Sequence, residues 1–216
     1  MIEEELVMFY RLLFVICLTV FVLPLHARER TLLILGDSLS AAYGIPVSDG
    51  WVSLLEQRLQ QQGYAFNVVN ASISGETTIG VLTRLENILD THKPVLTVVE
   101  LGGNDGLRGF QFAEIEQNLS VIVNRLKNNN SEVLLVPMQL PPNYGQAYNQ
   151  KFQQVYVRIA DQYDVPLSRF ILEDIALDKE LMQEDGIHPV ARAQPAMLDN
   201  IWPSLESLIT DELALQ

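Results

Sequence analysis

The chain has 216 residues, of which 48% are apolar and 19% charged, and it carries a formal net charge of −13. That length suits one domain with a real core, and the apolar share, without low-complexity stretches, excludes a disordered chain. The acidic balance repels phosphate backbones and argues against nucleic acid as a partner.

The N-terminus differs from the rest. Leu12 to Leu25 form an almost unbroken apolar run, preceded by Arg11 and followed by His26, Ala27 and Arg28. As a helix these residues rise only ~21 Å, short of a ~30 Å hydrocarbon layer but suited to the apolar segment of a secretory signal. The expectation is a signal peptide over residues 1–27 with cleavage near Ala27, the alternative being an uncleaved anchor. Glu3, Glu4 and Glu5 spoil the positive leader such signals prefer, which points to translation from Met8. Cys17 follows Ile16 rather than a small residue, which disfavours lipid attachment. Removing residues 1–27 takes away one Arg and three Glu and leaves a net charge of −11. It also takes away Cys17, the single cysteine. Disulfides, thiolate catalysis and cysteine zinc sites are thereby excluded from residues 28–216, the expected single domain.

From residue 31 onward, apolar runs alternate with amphipathic stretches. Residues 31–36, 66–70, 95–101 and 132–138 are short and rich in Val, Ile and Leu, which predicts strands buried on both faces. Trp51, Leu54, Leu55 and Leu59 recur at helical spacing, as do Val81, Leu82, Leu85, Ile88 and Leu89. Ile115, Leu119, Ile122, Val123 and Leu126 form a third stripe, and Phe152, Val155, Tyr156 and Ile159 a fourth. A weaker fifth strand follows at 165–167, then an irregular stretch and a closing helix over 197–209. The prediction is a three-layer α/β/α sandwich on a parallel, roughly five-stranded sheet.

Ligands of open parallel sheets bind beyond the carboxyl ends of the strands, and the unusual residues collect there. Gly36-Asp37-Ser38-Leu39-Ser40 follows the first run, Ser74-Gly75-Glu76 the second, and Gly102-Gly103-Asn104-Asp105 the third. Asp185-Gly186-Ile187-His188-Pro189 comes late in the chain. A serine hydroxyl needs an imidazole to take its proton and a third group to hold the ring in the right tautomer. Ser38 is the candidate nucleophile, His188 the base and Asp185 the orienter. His92, before Lys93 and Pro94, reads as a helix C-terminal cap. Acyl transfer also needs donors for the oxyanion, and the N–H groups of Ser38 and Gly75 with the Asn104 amide are the candidates. Glycine at 75 leaves its amide open, although turn geometry is the ordinary reason for a glycine and an Asx turn for Asn104. Asp37 and Asp105 are assigned structural hydrogen bonds.

These four blocks, in order and spacing, resemble those of SGNH (GDSL) hydrolases over about 150 residues. Thr31–Ala42, Val69–Gly75, Glu100–Phe110, Leu140–Gly145 and Asp185–Pro189 look like the family's bacterial multifunctional thioesterase, protease and lysophospholipase members. The resemblance implies a flavodoxin-like fold, a periplasmic location and no metal or other cofactor. It implies hydrolysis of acyl-CoA thioesters, simple esters and lysophospholipids. It further implies that residues 106–111 form a mobile loop over the acyl chain, with Leu107, Leu140 and Tyr144 beside the groove. Pro141 and Pro142 depart from that pattern by their adjacency and bear on chain-length preference. The expected state is a monomer with small acyl substrates as its partners and transient contact with lipid.

Other readings fit less well. An α/β-hydrolase elbow wants Gly-x-Ser-x-Gly, whereas Ser40 holds the last position here. A phosphate-binding loop at Gly36 lacks its Lys, and a zinc enzyme lacks ligands. A carbohydrate O-acetylesterase of the same fold is the main alternative, with a non-catalytic binding protein on this scaffold behind it.

Overall fold

The structure, a computed structural model, describes residues 30–214. The expected signal peptide and the start at Met8 lie outside the described residues.

Four parallel strands, β1 (Arg30–Gly36), β2 (Phe66–Asn70), β3 (Leu96–Glu100) and β4 (Glu132–Leu135), form one sheet in the order β2-β1-β3-β4. The central pair fixes the register: Ile34 lies beside Asn70 on one side and Val98 on the other. The helices are α1 (Trp51–Gln61), α2 (Thr78–His92), the short α3 (Gly103–Leu107), α4 (Phe112–Asn128), α5 (Gln146–Tyr163) and α6 (Gln194–Ala214). α1 packs on α6, while α2 packs on α4 and α4 on α5, so a helical layer covers each face of the sheet. Every parallel connection needs such a return helix, and the apolar stripes supply its inner face. Trp51, Leu85, Leu119 and Phe152 are fully buried, one from each of four stripes. Burial of such side chains contributes about 1.5–3 kcal/mol each.

Two expectations need correction. β2 is an edge strand rather than one buried on both faces: Phe66, Val68 and Val69 are only partly covered, and Asn67 and Asn70 are exposed. The fifth strand contracts to a single parallel bridge between Leu135 and Leu167. Pro166 can accept a bond from Leu135 N–H at 3.0 Å but has no N–H of its own to extend the ladder. His92 does occupy the last turn of α2, and Lys93 in the left-handed region ends it.

In this strand order the chain leaves β1 in one direction and β3 in the other, so a crevice opens between their carboxyl ends. The loops after β1 and β3 flank that crevice, and they carry Ser38 and Asn104.

Candidate active site

Beyond Gly36 the chain turns sharply, with Ala41 N–H donating to the Asp37 carbonyl at 2.9 Å and Tyr43 N–H to that of Ser38 at 3.1 Å. Asp37 is buried and its Oδ1 accepts from Leu39 N–H at 3.1 Å, an Asx-type closure of the turn. Asn70, at the end of β2, donates from Nδ2 to the Ser40 carbonyl at 2.8 Å. The turn is thus pinned from inside and from the edge strand, and Ser38 is left partly exposed at its crest.

The segment carrying His188 is equally constrained. Met182 and Pro189 form an antiparallel bridge, and Gln183 N–H donates to the His188 carbonyl at 2.7 Å. Within this loop Asp185 Oδ1 accepts from the N–H groups of Ile187 and His188 at 2.9 and 3.0 Å. Its Oδ2 lies 2.6 Å from His188 Nδ1, and His188 Nε2 lies 2.9 Å from Ser38 Oγ. Burial pushes the Asp185 carboxyl up, but the His188 N–H, the imidazole and the Ile187 N–H together outweigh it and hold the group at about 2. Asp185 is therefore an anion across the neutral range. With Nδ1–H donated to that anion, Nε2 is the free acceptor facing the serine hydroxyl. The ring of Tyr43 covers the imidazole at a centroid separation of 4.4 Å.

The oxyanion candidates come from the two other loops. Gly75 adopts a φ of +79°, a backbone that only glycine takes without strain. Among the described residues, neither Ser38 N–H nor Gly75 N–H donates to another protein group. Asn104 Nδ2 donates one hydrogen to Asp37 Oδ2 at 3.0 Å, which fixes the amide and leaves its second hydrogen free. Asp105 is fully buried and accepts from the backbone N–H and hydroxyl of Thr78. It thereby ties the loop after β3 to the start of α2, just downstream of Gly75. The structural duties expected of Asp37 and Asp105 are what their hydrogen bonds display.

A cavity of about 750 Å³ opens from Ser38, Asn104 and His188. Leu107, Leu140 and the two prolines line it, together with Phe170, Leu172, Leu177 and Met182 from the stretch before Asp185. Tyr144 is not part of this lining, and it donates its hydroxyl to the Leu107 carbonyl at 3.0 Å. Gly75 also lies outside the lining, and Arg108 donates to its carbonyl at 3.0 Å. Two adjacent residues of the segment 106–111 are thereby anchored, Leu107 to Tyr144 and Arg108 to Gly75. Among the described residues no group of three or more His, Cys, Asp or Glu side chains is placed to hold a metal.

The sequence matches the GDSL-like lipase/acylhydrolase family over residues 34–194. The chain belongs to that family. Esterase TesA of Pseudomonas aeruginosa is 48% identical to this acylhydrolase over 193 residues, 89% of this chain and 96% of the relative. The thioesterase 1/protease 1/lysophospholipase L1 of Escherichia coli K12 is 46% identical over 86% of this chain and 88% of its own. Among solved structures, TesA superposes with a TM-score of 0.80 at 48% identity, covering 83% of this chain and 99% of that one. Esterase EstA from Pseudoalteromonas, inhibited by monoethylphosphonate, also gives 0.80 at 38% identity, covering 84% and 100%.

Several residues of this GDSL-like acylhydrolase that shape the site escaped the sequence reading. Glu100 ends β3 directly beneath the nucleophile turn and was visible as a lone charge inside an apolar run. Gln183 and Tyr43 hold the His188 loop, and nothing local in the sequence marks either. The wall from Phe170 to Met182 comes from the irregular stretch before Asp185, where neither strand nor helix periodicity gives a direction to a side chain.

Proposed function

We propose that the chain is a serine acyl hydrolase that cleaves fatty-acyl esters and thioesters through an acyl-enzyme on Ser38. The observation that carries this reading is the 2.9 Å contact between Ser38 Oγ and His188 Nε2, backed by the 2.6 Å contact of the same ring with Asp185. Names of relatives agree in class: esterase, thioesterase, lysophospholipase and arylesterase.

In this reading Ser38 Oγ attacks the acyl carbonyl carbon while its proton passes to His188 Nε2, and Asp185 steadies the imidazolium. The carbonyl oxygen becomes an anion held by Ser38 N–H, Gly75 N–H and the free hydrogen of Asn104 Nδ2. Collapse breaks the bond to the leaving alkoxide or thiolate, which takes the proton from His188. Water then attacks the acyl-Ser38 ester, gives a proton to His188, and releases the carboxylic acid with Ser38 restored.

The cavity supports a substrate with an extended apolar acyl group. Leu107, Leu140, Phe170, Leu172 and Met182 offer far more apolar wall than the acetyl group of a carbohydrate O-acetylesterase would fill. Leu107 and Leu140 are assigned to the acyl groove, and Tyr144 holds the Leu107 backbone. The same reading has residues 1–27 removed as a secretory signal, residues 28–216 acting as one monomeric periplasmic domain, and contact with lipid transient.

A fluorophosphonate probe tests the mechanism. Covalent labelling of the wild type and its absence in Ser38→Ala are the expected results, together with turnover of long-chain acyl-CoA and lysophospholipid. An unlabelled wild type, or labelling that persists in Ser38→Ala, removes the assignment.

A further inference from the structure

Glu100 is 0% exposed, and only one of its carboxyl oxygens is satisfied. Oε2 accepts from Ser40 Oγ at 2.7 Å and from Asp37 N–H at 3.3 Å, whereas Oε1 has no protein donor. The carboxyl is packed so closely under the nucleophile turn that a Cβ on Gly36 would come within 2.8 Å of Oε2. Asp37, 3% exposed, differs in one respect. Both its oxygens have N–H partners, Leu39 on Oδ1 and Asn104 on Oδ2. The Asp37 N–H bond to Oε2 holds the two carboxyls in one buried site, where each acts on the ionisation of the other.

Two buried carboxyls in one site do not both ionise. A neutral Glu100 gives Oε1 a hydrogen to donate, which removes the unsatisfied buried oxygen. A neutral Asp37 would weaken the bonds its two oxygens accept from Leu39 N–H and Asn104 Nδ2. We infer that Glu100 is a permanently protonated positioning residue, whose neutrality leaves the buried negative charge on Asp37, the carboxylate that aims the Asn104 amide at the oxyanion. Burial acts in the same direction, pushing Glu100 well above the ordinary carboxylate range and Asp37 to about 6. Of the other titratable groups around the pair, His188 acts on Asp37, while burial, Asp105 and the two carboxyls push the Tyr156 hydroxyl up. The negative charge kept on Asp37 also favours the imidazolium form of His188 in the transition state, so the pair supplies a second counter-ion behind the base.

The catalytic half of this inference rests on the proposed acyl transfer at Ser38; the location of the proton does not. Infrared spectroscopy of the wild type at about pH 8 should display the carbonyl stretch of one protonated carboxylic acid, which disappears in Glu100→Gln. Glu100→Gln retains one donor and one acceptor in the same shape, and its kcat is expected within about threefold of wild type. Glu100→Ala is expected to lower kcat about 10- to 100-fold with little change in KM, as misaimed oxyanion donors do. Absence of the band from the wild type overturns the inference whether or not the variants fold. A folded Glu100→Gln that loses as much kcat as Glu100→Ala overturns it too. A wild type with the band but no fluorophosphonate labelling would refute the proposed function and leave the protonated pair intact.

Discussion

The side-chain amide of Gln183 donates to the Tyr43 carbonyl at 2.8 Å, a contact across 140 residues of sequence. The same nitrogen reaches the Pro189 carbonyl at 3.1 Å, so one amide ties the His188 loop to the segment that follows Ser38. Replacing Gln183 by Ala removes both bonds and the support behind Tyr43. The expected result is a fall of about 10-fold in kcat with KM nearly unchanged and a stability loss of about 1–2 kcal/mol. Steady-state kinetics and denaturant unfolding check it; an unchanged kcat would detach this amide from base positioning.

Asn104→Ala removes a donor that makes its strongest bond only when the carbonyl oxygen becomes an anion. The expected loss is about 10²- to 10³-fold in kcat, with KM changed little, since ground-state binding does not use that bond. A rise in KM without a fall in kcat would assign Asn104 to binding.

Asp185 gives two measurable signs. Its carboxyl, held at about 2 against an ordinary 3.8, stabilises the fold fully above about 4 and loses that contribution as pH falls toward 2. In Asp185→Asn the decline of Tm between these limits should flatten. Its kcat should fall about 10³-fold or more, because an amide does not hold the imidazole in the tautomer that leaves Nε2 open. A Tm profile identical to wild type would contradict the depressed value.

Asp37 lies on the other side of its ordinary value. Burial raises it to about 6, so it gains a proton as pH falls through that point, and its charged hold on Asn104 is lost. The imidazole contributes its own acid limb to kcat, so the check is the difference between wild type and Asp37→Asn. The variant should lack the component near 6 and should have a lower plateau. An acid limb of the same shape and midpoint in both would exclude Asp37 from the profile.

Pro141 and Pro142 line the cavity, and Pro142 begins a tight turn that ends at Tyr144. Pro142→Ala should loosen that wall and shift the preference among short and long p-nitrophenyl esters, read as a change in relative kcat/KM. An identical profile across the series would separate this turn from chain selection.

Much of the site was readable from the chain alone because its parts sit where strand ends must be. Ser38 and Asn104 follow apolar runs too short and too β-branched to be helices, and Asp185 stands three residues before His188 on one loop. The less legible parts depend on distance in sequence. Gln183 acquires meaning only once Tyr43 is beside it, and the identity of Glu100 as an acid depends on Asp37 being its neighbour. The strand expected at 165–167 is present only as the Leu135–Leu167 bridge for a local reason, since Val165 and Leu167 carry the apolar pattern while Pro166 between them has no N–H for a longer ladder. Tyr144 was assigned to the groove by resemblance, and its hydroxyl is instead turned to the Leu107 backbone.

The irregular wall from Phe170 to Met182 contributes no member of the Ser38, Asp185, His188 set, yet it supplies eight of the residues that line the cavity. Reaction machinery and fit are thus only partly separable. Exposed Leu177 (81%) can be exchanged without disturbing the strand ends that carry the chemistry, whereas Met182, bridged to Pro189 beside the base, cannot. A lineage starting from this scaffold could therefore acquire new esters by editing the outward-facing codons around Leu177 while its rate-determining apparatus stays under constant selection.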